Sequence, residues 1–182
     1  EVPKLIMAGY TIMIKEIMDQ NKKDPFTHVF LQAGVGGMAA AMIAGFAKYS
    51  NNIPKFIIVE PENANCVFKS IENNKATTVN IINETIMGGM SCGDVSTVAW
   101  EILKESSNFS LTITDDEISM VVAMLAKAKL SNEKIIAGEC AVPGIIALIG
   151  LFKNKEYLDK LDLNQNSKIL LFGCEGLTDN EM

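Results

Sequence analysis

The chain has 182 residues, 16 basic and 22 acidic, for a formal charge of −6. A chain of this length buries roughly 70% of the surface it would expose unfolded, and with every basic residue a lysine and none an arginine it lacks the footprint of a nucleic-acid binder. No apolar run reaches the about 18 residues of a membrane-spanning helix, and no basic stretch followed by an apolar one opens the chain, so neither a membrane nor a secretory segment is expected.

Tyr10, Met13, Ile14, Ile17 and Met18 form the apolar stripe of an amphipathic helix, which Asn21 to Asp24 breaks. His28–Ala33 reads as a buried strand, followed at once by Gly34-Val-Gly-Gly37 and a small-residue helix from Met38 to Lys48. Lys55–Glu60 is a second buried strand, stopped by Pro61, and a helix is expected from Asn63 to Glu72. Lys75–Asp94 is less regular, with a β-prone piece at Thr77–Ile82 and glycines at 88 and 89. Ser96–Lys104 reads as a helix and Phe109–Ile113 as a short strand. Thr114-Asp-Asp-Glu117 has the spacing of a capping box, with Ile118, Val121, Val122 and Leu125 continuing an apolar face. Ala141–Phe152, apolar on every side, predicts a buried helix. Lys168–Phe172 closes the chain as a last strand and ends in the turn Gly173–Asp179. Strands apolar on both faces, alternating with helices, predict an α/β fold: an open, mostly parallel sheet with helices on both faces.

Cys66, Cys92, Cys140 and Cys174 are scattered, with no CxxC, and His28 is the only histidine, so no metal site is expected. The thiols read as those of a reduced, cytoplasmic protein. Cys66 and Cys92 each follow an element ending at one sheet edge, which makes them a candidate redox pair.

Chemistry concentrates at Gly34-Val-Gly-Gly-Met38, between a strand and a helix. Free backbone N–H groups and the positive end of the helix dipole suit such a turn to an anionic group, and glycines let a phosphate approach closely. Two other readings stand beside it. Gly34-Val-Gly-Gly-Met-Ala39 also satisfies the dinucleotide pattern, with Glu60 placed as a ribose-binding carboxylate. The plain reading is a glycine turn that only lets a helix pack on a strand.

Several segments occur in a fixed order: Ile6-Met-Ala-Gly-Tyr10, Phe30-Leu-Gln-Ala-Gly-Val-Gly-Gly37, Ile58-Val-Glu-Pro61, Met87-Gly-Gly-Met-Ser-Cys-Gly93, Ala99-Trp-Glu-Ile-Leu103, Ala137-Gly-Glu139 and Cys174-Glu-Gly-Leu-Thr-Asp179. This series resembles the diaminopropionate ammonia-lyase family, within the fold type II pyridoxal-phosphate enzymes that include tryptophan synthase β and threonine deaminase. The resemblance implies a three-layer αβα large domain binding pyridoxal 5′-phosphate, a small amino-acid substrate and a homodimer. It implies elimination of ammonia from 2,3-diaminopropionate to give pyruvate, with the cofactor ring as electron sink. A threonine or serine deaminase of the same fold, an NAD-binding Rossmann domain and a catalytically silent ligand-binding module are the alternatives.

The resemblance also assigns positions. Residues 1–182 are expected to be the C-terminal part of the large domain, with the Schiff-base lysine and most acid/base carboxylates upstream. Lys4 and Lys15 precede the glycine loop but fall in a region matching later family sequence, so this chain alone is expected to be inactive. Cofactor contacts fall on Gly34, Val35, Gly36, Gly37, Met38, Glu139, Gly173 and Cys174, and the substrate pocket on Gly89, Met90 and Ser91. Glu139 reads equally as a carboxylate stabilising the next helix. Gly173 and Cys174 stand where the family places a Ser or Thr facing the pyridine nitrogen, which is a departure.

Overall fold

The computed structural model describes residues 1–21 and 25–176. Helix α1 (Val2–Gln20) leads into strand β1 (His28–Gln32), helix α2 (Gly37–Tyr49) and strand β2 (Lys55–Pro61). Helices α3 (Cys66–Glu72) and α4 (Thr97–Ser106) connect to β3 (Phe109–Ile113). Helices α5 (Ile118–Ala126), α6 (Pro143–Phe152) and α7 (Lys155–Leu161) lead to β4 (Ile169–Leu170).

The strands are parallel and lie in the order β3-β2-β1-β4. Every residue of β1 is buried, and all of β2 from Phe56 onward, as continuous apolar central strands require. From β1 the chain moves outward through α2 to β2, then through α3 and α4 to β3, always in one sense. Right-handed crossovers place those helices on one face. The return from β3 to β4 runs the other way and delivers α5, α6 and α7 to the opposite face. Two cores result: Val29, Leu31, Phe56 and Ile58 pack against α1, α2, α3 and α4, while Phe30, Ile57 and Val59 pack against α5, α6 and α7.

Strand β4 pairs with β1 through only His28↔Ile169 and Val29↔Leu170. A clasp beside it does the rest: Thr27 N–H donates to the Lys168 carbonyl at 2.9 Å, and Lys168 N–H to Thr27 Oγ1 at 2.9 Å. Because β1 is flanked by strands reached in opposite senses, the carboxyl ends of β1 and β4 border the crevice where open α/β sheets bind ligands.

Four local expectations need correction. Thr114–Glu117 forms no capping box: Thr114 Oγ1 donates to Asp116, and α5 starts only at Ile118 without a side-chain cap. Asp115 is engaged elsewhere, accepting from Thr85 Oγ1 at 2.6 Å and Ile86 N–H at 3.0 Å. Helix α6 is buried along one side only, its end exposing Phe152 at 63%. Thr77–Ile82 forms no strand, and the last strand is two residues rather than five. Of the expected break at Asn21–Asp24, Asn21 ends α1, while Lys22–Asp24 and the end of the final turn, from Leu177, lie outside the described residues.

Candidate functional site

The glycine loop sits at the carboxyl end of β1, and its backbone orientation sets its chemistry. Three successive carbonyls are used by the protein itself. Gly34 O accepts from the Cys66 thiol at 3.5 Å, Val35 O from Ser96 N–H at 2.9 Å, and Gly36 O from Ala40 N–H at 2.9 Å. Burial pushes the Cys66 thiol up to about 12, with the neighbouring Glu60 adding to the rise, so it stays a protonated donor. Ala40 makes the first helical bond, so the amides of Gly37, Met38 and Ala39 have no acceptor within α2. The loop therefore presents donors, backed by the positive end of a 13-residue helix.

Two glycines are required by shape. Gly36 has φ +84°, and a side-chain carbon there would stand 2.7 Å from Leu103 Cδ1. At Gly34 such a carbon would lie 3.0 Å from both Cys92 Sγ and the Gly89 carbonyl oxygen.

The loop borders a groove of about 330 Å³, also lined by Tyr10 from α1, Gln32, Gly89, Cys92 and Ser96. Among the described residues no charged side chain lines it. Ser96 precedes α4, and its hydroxyl makes no capping bond. An anion here meets neutral donors only, which suits a phosphate monoester in an acidic, arginine-free chain.

Beyond Gln32 the site continues into the turn that follows β4. Gln32 Nε2 donates to Phe172 O at 2.8 Å, Cys140 O at 3.1 Å and Cys174 Sγ at 3.2 Å. Glu175 Oε2 accepts from Cys140 N–H at 2.6 Å, and Glu175 O from Gly138 N–H at 3.1 Å. Glu139, half-buried, opens the one-turn 3-10 segment between them and does not line the groove. Gly173 and Cys174 are exposed at the same end of the sheet.

Of the expected substrate-pocket residues, only Gly89 lines the groove. Met90 is 3% exposed, in the core beneath α5 and α6, and the Ser91 hydroxyl donates to Glu84 at 2.8 Å. The sequence reading also passed over Gln32 and Ser96 as site residues, because their partners are remote in the chain. Cys66, Cys92, Cys140 and Cys174 all carry free thiols. Among the described residues no group of three His, Cys, Asp or Glu side chains is placed to hold a metal.

Glu60 resolves one alternative. It is fully buried, and its two oxygens accept from Val67 N–H at 2.9 Å and Phe68 N–H at 2.6 Å, in the first turn of α3. A carboxylate consumed there does not reach a ribose, so the dinucleotide reading loses its acidic partner.

The family model for pyridoxal-phosphate dependent enzymes matches residues 3–173. The diaminopropionate ammonia-lyase of Escherichia coli (strain K12) is 30% identical over 185 residues, covering 98% of this chain and 46% of that protein. A crystal structure of the selenomethionine holo enzyme from Escherichia coli superposes with a TM-score of 0.86 at 31% identity, covering 100% of this chain and 46% of that one. The same enzyme in complex with an aminoacrylate-PLP azomethine reaction intermediate gives 0.84 at 30% identity, covering 99% and 47%. The chain thus spans about half the length of the curated relatives it matches.

Proposed function

The chain belongs to the pyridoxal-phosphate dependent enzymes, and from that premise we propose that it is the C-terminal part of the large domain of an ammonia-lyase acting on 2,3-diaminopropionate. The observation that carries the cofactor assignment is the loop whose carbonyls at 34–36 are all engaged by the protein, leaving the amides of 37–39 for a phosphate. When bound, pyridoxal 5′-phosphate supplies the electron sink that lets an α-proton and a β-amino group leave an amino acid.

The chain's own residues orient rather than react. Amides 37–39 hold the phosphate, and the groove between Tyr10, Gly34 and Gly89 orients what is attached to it. Gly173 and Cys174, in the turn after β4, would hold the ring end of the cofactor, with Glu139 in the adjoining turn. Among the described residues no lysine lines the groove, which fits an anchoring lysine in the N-terminal half together with the acid/base groups. The likeness to diaminopropionate ammonia-lyases supports the substrate, a homodimer is part of the same proposal, and four free thiols suit the cytoplasm.

The test uses the whole protein. Pyridoxal 5′-phosphate should give a visible absorbance that borohydride removes, and pyruvate and ammonia should form with a kcat/KM at least about tenfold higher for 2,3-diaminopropionate than for serine or threonine. A preference for threonine would overturn the substrate and leave the fold intact. Gly34→Ala, forced against Cys92 and Gly89, should weaken cofactor binding about tenfold or more by fluorescence titration. Unchanged affinity would mean that the phosphate sits elsewhere.

A further inference from the structure

We propose that the outer edge of β3 is an interface at which two copies of this chain pair antiparallel about a two-fold axis through Leu111, an inference that goes beyond the cofactor reading and does not depend on it. Strand β3 ends the sheet order, and among the described residues no strand pairs with its outer side. The ladder to β2 fixes which groups are left over. Ile113 stands beside Pro61, and its carbonyl accepts from Glu62 N–H at 2.9 Å. The backbone groups of Phe109, Leu111 and Ile113 therefore turn toward β2, and those of Ser110 and Thr112 turn outward. Sheet edges that stay single usually carry a lysine, a proline or a bulge that refuses a neighbour. Phe109-Ser-Leu-Thr-Ile113 has neither charge nor proline and runs in unbroken register. Its flanks are apolar as well. A hollow of about 430 Å³ follows Phe109–Thr112 between Phe68 and Lys160, and another of about 320 Å³ lies beside Leu111–Thr114. Met120, 54% exposed, and Tyr157, 49% exposed, line them, and exposed apolar surface gathered in this way marks an interface.

The occupant is a second copy because the strand is complementary to itself. Apolar and polar residues alternate symmetrically about Leu111. In an antiparallel pairing centred there, Phe109 lies opposite Ile113 and Ser110 opposite Thr112, each pair on its own face of the sheet. Ser110 and Thr112 of the two copies then exchange backbone hydrogen bonds in both directions, which uses the groups that face outward. Ser110 Oγ is buried and has no partner within the chain, and this register sets the Thr112 hydroxyl of the second copy on its face. The charges agree. Glu117 and Lys153 line the hollow at the Ile113 end and Lys160 the one at the Phe109 end, so the two-fold brings Lys160 of one copy to Glu117 of the other.

The experiment uses the whole protein. Leu111→Cys should give a disulfide-linked dimer under mild oxidation, because the facing residues of a non-hydrogen-bonded pair sit about 4.5 Å apart. Ile113→Cys, opposite Phe109, should not, and wild type run alongside accounts for the native thiols. Sedimentation over a concentration series reads the strength of association. Glu117→Lys and Lys160→Glu should each weaken it about tenfold. Mixing the two variants should restore it, since opposite charges then meet at both contacts. These surface positions decide the matter should Leu111→Cys fold poorly. No cross-link above wild type in a folded Leu111→Cys protein, or a mixture as weakly associated as either charge variant, overturns the proposal. Hydrogen exchange supplies the remaining control. The amides of Ser110 and Thr112 should gain protection as concentration rises, whereas protection at every concentration would show the edge covered by the rest of the same polypeptide and would overturn the proposal too.

Discussion

Replacing Gly36 with alanine is expected to lower the stability of the whole protein by about 2–5 kcal/mol and to abolish most cofactor uptake. The backbone there is left-handed at φ +84°, which costs an L-residue about 1–2 kcal/mol. The added carbon meets Leu103 Cδ1 at 2.7 Å, and Leu103 is fully buried between α2 and α4. Overpacking of that kind costs about 1–3 kcal/mol more. Gly36 also accepts the first helical bond of α2, so its displacement tilts the amides of 37–39 out of register with a phosphate. Urea unfolding with and without pyridoxal 5′-phosphate checks both effects: the midpoint falls, and the stabilisation by ligand shrinks. Wild-type behaviour in both would show a loop that rearranges freely rather than a fixed cradle.

The second large effect concerns Glu60 and pH. Burial pushes its carboxyl from 4.5 up to about 8, against the opposing pull of the Val67 and Phe68 amides and the Cys66 thiol. The folded state therefore keeps a proton that the unfolded chain releases. The resulting stability is fully present below pH 4.5 and is lost as pH rises through about 8. A rise of that size corresponds to roughly 5 kcal/mol at 1.36 kcal/mol per pH unit. Glu60→Gln removes the titration but offers one acceptor to two amides, leaving a buried N–H poorly paired at a cost of about 1–3 kcal/mol. The variant should be less stable than wild type at pH 5 and should match or exceed it at about pH 8.5. Urea midpoints at the two pH values measure this, and parallel shifts of both proteins would refute a titrating Glu60.

What could be read from the chain was whatever its near neighbours decide. Val29–Leu31 and Phe56–Val59 are uninterrupted apolar runs, and a strand running into glycines and then small residues announced both the loop and α2. Distant partners were invisible. Gln32 finds its acceptors 108, 140 and 142 positions away, and nothing local to it signals a junction. Thr114 and Glu117 had capping-box spacing, yet Thr114 bonds to Asp116 and Thr85, 30 residues upstream, claims Asp115 between them. Glu60 matched a ribose ligand by spacing alone, although the first turn of α3 lay closer to hand. Helix α7 gave no apolar stripe to notice, since only Leu161 is buried and its start depends on Asn154 accepting from Glu156 N–H.

The short union of β4 with β1 leaves the sheet one weakly held edge beside the site. Two paired residues and the Thr27–Lys168 clasp hold β4 itself, while Gln32 and Glu175 tie down the residues that follow it, so this edge opens at lower free energy than the interior strands. A ligand that needs this edge closed has its apparent affinity reduced by the fraction of molecules in which it is open. Amide hydrogens at 169–174 should accordingly exchange fast in the apoprotein and slow down on loading, while those of β1 barely respond.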